Sequence, residues 1–307
     1  MKCSVPVDMG ACVTGNGDGD GFPVAAVLGT YRSLRIGVVI LVLMLFVSVF
    51  IQVASAGWCL QSSISAYFFT DVHIVFIAVL CALGTLLLVY KGSSDTEDVL
   101  YDFAGLWAFV VATVPTGWPT NLGPDGGGRM RGLCGGPGLP LDYNAGHAIG
   151  NNVSSVVVGA LLVLVASVSF ASGSFGASWT PVGTLARIVG GAVTAVLAYT
   201  FVFTPHWFER HGHSLAAVAM FAFVILAIWA NAVLSESDRY VLAYRIVGIV
   251  MLATLIAVLV LSATVEWTLF VLVAEAALIL EFAAFWAFQT AELWNTVCRP
   301  FGHRELI

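Results

Sequence analysis

Charge is what this chain has least of. Only 10% of its 307 residues are Asp, Glu, Lys or Arg, against about 25% in an ordinary soluble domain. That is too little polar surface to face water on all sides, so a soluble globular protein is excluded. Lysine is scarcest, with Lys2 and Lys91 alone. The later apolar runs therefore have no lysine to hold retinal as a Schiff base, and no basic stretch offers a surface to nucleic acid. A nucleotide-binding loop and a pair of haem-ligating histidines on one helix are also missing. The first 35 residues have no apolar run of their own, so no cleavable leader is expected and the first span should remain in the mature protein.

What is abundant is hydrocarbon. Apolar residues make up 59% of the chain, and mean hydropathy is +0.95. They come in blocks of about 20, the length that crosses a bilayer as a helix. The fold class expected is all-α, a polytopic transmembrane helical bundle of about eight spans. These run approximately 36–56, 73–90, 100–116, 150–171, 183–204, 214–234, 241–263 and 267–292. Residues 1–35 read as a flexible tail, 36–293 as the bundle, and 294–307 as a second tail. Lys and Arg favour the cytoplasmic side. With the N-terminus inside, nine of them fall on that side and only Arg129, Arg131 and Arg210 outside. Both termini are thus expected in the cytoplasm, with the cell membrane as the location and the lipid bilayer as the implied partner. No protein partner can be named from the residues.

Several stretches carry weaker signals. "NGDGDG" (16–21) imitates the start of a calcium loop, but Val27 stands where the bidentate acid is needed, so a flexible tail is the better reading. Loop 117–146 is rich in Gly and Pro and is the largest on the outer side. "ARIVGGAV" (186–193) echoes "YRIVGIVM" (244–251); it reads as a duplicated unit of the kind transporters carry or, better, as a chance product of so biased a composition. Cys59 and Cys134 both fall on the oxidising side, where they are either a disulfide or two free thiols.

"SISAYFFT" (63–70), "YKG" (90–92), "ED" (97–98) and "AG" (104–105), followed by "HSLAAVAMF" (213–221), "YRIVG" (244–248) and "AEAALILEFAAFW" (274–286), resemble a group of bacterial multi-pass membrane proteins without assigned biochemistry. Glu275, Phe282 and Trp286 match that group's spacing. The resemblance covers about two thirds of the chain and omits 117–205, where two additional spans are expected. It departs at His73 and Ile74, where the group has a basic residue and Asp, and at Gln289, where it has Lys. It implies an architecture and carries no activity.

An ionisable residue within a span costs about 2.5–3.5 kcal/mol on insertion scales and is a candidate functional residue. Glu275 and Glu281 are such residues. Six positions apart, they point roughly 120° from each other and cannot pair. They read either as protonated acids bonded to neighbouring helices or as a proton- or cation-coupled transport site. A second polar layer near the cytoplasmic end comprises Asp102, Arg187, Asn231, Arg245, Gln289 and Glu292; interhelical pairing is its expected role.

On the outer side lie His73, His147, His206, His211 and His213, with Asp71, Asp142, Glu209 and Glu266. Imidazoles with a carboxylate are good zinc ligands, so Asp71, His73, His211 and His213 form a candidate metal site. These ingredients are similar to those of alkaline-ceramidase-type membrane hydrolases, but no His-x-x-x-His occurs in the last span. The alternative is that histidine simply suits the wet interface. Three classes remain: a structural or accessory membrane protein, a small-solute or lipid transporter using a buried Glu, and a metal-dependent hydrolase at the outer face.

Overall fold

The computed structural model of the chain describes residues 21–116, 145–171, 180–261, 269–297 and 299, with backbone alone for 21–24, 145 and 161–171. Eight α-helices account for most of them: α1 (Gly21–Ser55), α2 (His73–Val89), α3 (Asp95–Thr113), α4 (Ala145–Ala171), α5 (Pro181–Phe203), α6 (Pro205–Leu234), α7 (Asp238–Leu261) and α8 (Phe270–Glu292). No strand occurs among the described residues. Five helices, α1 (from Ala25), α5, α6, α7 and α8, are long and apolar enough to cross a membrane, and α2 is a shorter apolar helix of 17 residues. The chain is a membrane protein of helical-bundle type.

Six helices close a ring. Neighbours pack in the order α1, α2, α3, α6, α7, α8 and back to α1. Helices α4 and α5 stand outside it, α4 against α3, and α5 against α3 and α6. In lipid, apolar burial does not drive helices together, so close packing must. The α2–α3 contact shows how. A β-carbon on Gly105 would lie 2.6 Å from the Gly84 carbonyl oxygen, and one on Gly84 2.9 Å from the Gly105 oxygen. Any larger residue at either site forces the two helices apart.

Helix ends follow local chemistry more than hydropathy. α1 begins at Gly21, fifteen residues before the expected span, so 21–35 is helix and not tail. Nothing in "VAAVLGTYRSLR" (24–35) breaks a helix, and Pro23 is tolerated in a first turn. α6 begins at Pro205, nine residues early. Pro205 has no donor and disfavours helix at Thr204 before it, so α5 stops there and a new helix starts at once. At α3 the sequence "SDTE" (94–97) is a capping-box signature: the Ser94 side chain accepts from the Glu97 amide at 3.2 Å. The Glu97 carboxylate reaches back to the Ser93 amide at 2.7 Å.

The segment between α1 and α2 is not a loop lying on the lipid surface: Ser65–Phe69 forms a buried 3₁₀ turn with Tyr67 fully buried and Phe68 and Phe69 nearly so. The turn packs on α2, and the rings join the core instead of the interface.

Candidate functional site

Two buried carboxylates organise opposite ends of the bundle. At the end holding the start of α8, Glu275 accepts from the Ser65 amide at 2.9 Å and the Ser65 hydroxyl at 3.3 Å. It thereby caps the open N-terminus of the 3₁₀ turn, where unpaired amides favour a negative group. Glu281, lower on α8, accepts from Thr254 of α7 at 2.9 Å. The two acids thus face different neighbours, and each links α8 to another element.

The other end holds a larger assembly. Glu97 is fully buried at the start of α3. Its Oε1 accepts from Asn231 Nδ2 of α6 at 2.9 Å, Gln289 Nε2 of α8 at 3.1 Å and Tyr101 OH at 3.3 Å. Asn231 and Gln289 are fully buried too, and Gln289 Nε2 also donates to Asn231 Oδ1 at 3.0 Å. Glu292, at the end of α8, accepts from Ser235 at 2.5 Å and from Tyr244 of α7 at 2.6 Å. Between the two acids sits Arg299. Its Nη2 donates to Glu292 Oε2 and, at 2.9 Å, to Asn231 Oδ1; its Nη1 is 4.0 Å from Glu97 Oε2. Burial alone would lower the pKa of Arg299, but Glu97 and Glu292 more than offset it and hold the guanidinium charged.

Arg299 arrives there because the chain turns back after α8. Arg35 of α1, itself fully buried, donates to the carbonyls of Leu293 (2.6 Å), Thr296 (3.2 Å) and Val297 (3.0 Å), and to Tyr90 OH at 3.1 Å. Arg32 adds the Trp294 carbonyl at 2.7 Å. The Arg299 amide then donates to Ser93 Oγ at 3.0 Å. Residues 293–297 thus form a strap bound mainly through its backbone. An aromatic wall stands beside it: Trp286 packs on Tyr90 and Tyr101 at ring separations of 5.0 and 5.6 Å. Gly92 is needed here, since a β-carbon would come within 2.6 Å of the Glu97 carboxyl carbon.

This knot was only half legible. Asn231, Gln289 and Glu292 were in the expected polar layer, but the others separate from it. Arg187 pairs with Asp95, not Asp102, through bonds of 2.9 and 2.5 Å, while Arg245 is exposed. Glu97 and Arg299 were missed. The first fell in an expected loop and the second in an expected tail, although "SDTE" does mark Glu97 as a fixed cap.

The candidate metal site does not assemble. Among the described residues no three His, Cys, Asp or Glu side chains gather in a way that could hold a metal ion. The physical reason is the early start of α6, which puts His211 and His213 within a helix. Two positions apart, they point about 200° from each other. His211 is exposed, with Nδ1 2.9 Å from the Trp207 carbonyl; His213 is buried, with Nδ1 2.6 Å from the Val114 carbonyl. His73 Nδ1 lies 2.7 Å from the Phe68 carbonyl, and Asp71 is exposed. His73 and His211 thus bond local backbone, and His213 bonds across to the end of α3. Cys59 is disulfide-bonded to a partner outside the described residues, where Cys134 lies, and Cys81 is free. The calcium-like stretch 16–20, Asp142 and Glu266 also lie outside them.

No known protein family, curated protein or solved structure matches the chain.

Proposed function

We propose that this chain is an integral membrane protein of the structural or accessory kind. The observation that carries the reading is what the deep acids do: Glu275, Glu281 and Glu97 each accept hydrogen bonds from another element of the bundle. Lipid offers no solvent for such groups, so a polar bond between helices fixes which helices meet and at what register. A small cavity of about 40 Å³ among the described residues is lined by apolar side chains such as Val42, Leu80, Leu83 and Phe221, the lining of a dry packing gap.

The eight helices are read as eight crossings with both termini cytoplasmic, so that the knot of Glu97 and Arg299 faces the cytoplasm and the Glu275 cap lies outside. From the resemblance to the bacterial group we read the location as a bacterial plasma membrane, and we assign the outer disulfide as Cys59–Cys134.

The test is to reconstitute the protein and its Glu275→Gln and Glu281→Gln variants in lipid vesicles, recording thermal stability and solute-driven pH changes across the bilayer. The accessory reading expects lower stability and no flux in any of the three. A flux in the wild type that Glu281→Gln abolishes at unchanged stability establishes the transporter class instead. For orientation, a cysteine placed in loop 117–146 should react with an impermeant reagent on intact cells; reaction only after permeabilisation reverses the topology.

A further inference from the structure

We infer that Arg299 occupies a cation-binding site for guanidinium-bearing ligands, which the chain fills with its own side chain and which opens when the strap lifts. The site is built around a guanidinium. Its acceptors come from α6, α7 and α8: Glu292 at both Nε (3.4 Å to Oε1) and Nη2, Asn231 Oδ1 at 2.9 Å, and Tyr244 OH at 3.4 Å. The Tyr244 ring lies 5.8 Å from the guanidinium carbon, within cation–π range. A planar group with several donors in a fixed fork satisfies such a set, and a spherical ammonium does not.

Three further observations separate this from an ordinary internal ion pair. First, the walls hold together without Arg299. Glu97 keeps Ser93, Asn231, Gln289 and Tyr101, and Glu292 keeps Ser235 and Tyr244. Second, an acceptor is left over: Gln289 is fully buried, its Nε2 makes three hydrogen bonds, and its Oε1 has no partner. Buried polar atoms without a partner are few in native structures, and this one sits on a side chain that also binds Glu97 and Asn231. Third, the occupant is delivered from beyond the last helix, by a strap whose bonds to Arg35 and Arg32 run largely through backbone carbonyls. Arg299 is the cation held between the fully buried Glu97 and the half-buried Glu292. Lifting the strap removes one positive charge from low dielectric, and a free guanidinium is the group that restores the balance.

A tethered side chain competes with an effective concentration on the order of millimolar. The wild type should therefore bind a free guanidinium weakly, and removal of Arg299 should unmask the site. The experiment measures thermal unfolding of the full chain in lipid nanodiscs against methylguanidinium, with urea and sodium chloride as shape and ionic-strength controls. Arg299→Ala is expected to unfold at lower temperature and to recover saturably with methylguanidinium alone. Its midpoint should be at least about tenfold below that of the wild type, the gain expected when the competing closed state is removed. Arg299→Ala with Asn231→Leu should lose most of the recovery. A folded Arg299→Ala that responds alike to methylguanidinium and to the controls, or no more than the wild type does, overturns the proposal.

Should Arg299→Ala fail to fold, a chain that keeps Arg299 and carries Val297→Cys supplies the reading through maleimide labelling at that position, located by peptide mass spectrometry. Methylguanidinium should accelerate the labelling saturably, by displacing Arg299 and its strap, where equal urea does not. A labelling rate indifferent to methylguanidinium overturns the proposal.

Discussion

Glu97 and Glu275 are the same residue type, both inside the bundle, and the protein keeps them there by different means. Glu97 is surrounded by side chains from three helices and has a guanidinium nearby. Glu275 has no described cation partner; it is held by the amide and hydroxyl of Ser65 at the mouth of one 3₁₀ turn. The first arrangement couples distant parts of the chain, since Arg299 lies some two hundred positions from Glu97. The second shapes one loop. A buried acid is therefore not one kind of object: its partners decide whether it ties the bundle together or folds a local segment.

The comparison can be broken by experiment, and the largest effect should come from the knot. Arg299→Met leaves the buried Glu97 and the half-buried Glu292 without the cation between them, and breaking a buried pair typically costs about 3–5 kcal/mol. Adding Glu97→Gln should restore most of that loss, because a neutral buried network is less costly than an unbalanced charge. Denaturant or thermal unfolding in nanodiscs measures both. If the double variant is as unstable as the sum of its parts, charge balance is not what holds the knot.

At the other end, Glu275→Ala leaves the Ser65 amide without its acceptor, with an expected cost of about 1–3 kcal/mol. The more telling readout is where the structure loosens. Hydrogen exchange should quicken in 62–73 and stay unchanged in the strap 293–297, with the reverse for Arg299→Met. Exchange that spreads over both regions in either variant would erase the distinction between knot and cap.

A smaller change is expected at Thr254→Val, which removes the hydroxyl on Glu281; single interhelical hydrogen bonds in membranes average about 0.6 kcal/mol. The smallest concerns Asp95. Burial opposes its charge, but Arg187 and the Thr180 bonds outweigh burial and hold the carboxyl below its ordinary range. A depressed folded pKa contributes stability above the unfolded value and loses it as pH falls through the folded one. Wild type should therefore lose stability on the acid side of the usual Asp range, and Asp95→Asn should show a flatter acid limb. An identical acid limb in the two proteins would mean that the pair is screened to nothing.

Hydropathy located the eight helices because a 20-residue apolar run has few other uses. It misplaced the starts of α1 and α6 because polar helix ends look like loops on that scale. That error carried into function: placing "HGH" in a loop allowed His211 and His213 to converge, and within α6 they cannot. Gln289 shows the opposite case. It read as a departure from the group the chain resembles, and in the structure it binds Glu97, Tyr101 and Asn231 together.

By itself the sequence determined a membrane-embedded helical chain, the approximate positions of its helices, and the buried acids of the last one, since each rests on composition or on periods of a few residues. Tertiary structure alone decided that six helices close a ring with α4 and α5 outside, that Glu275 caps the turn at Ser65, and that Arg299 folds back between Glu97 and Glu292. Those are pairings across long stretches of chain, chosen by which helices pack side by side, and no local pattern records them.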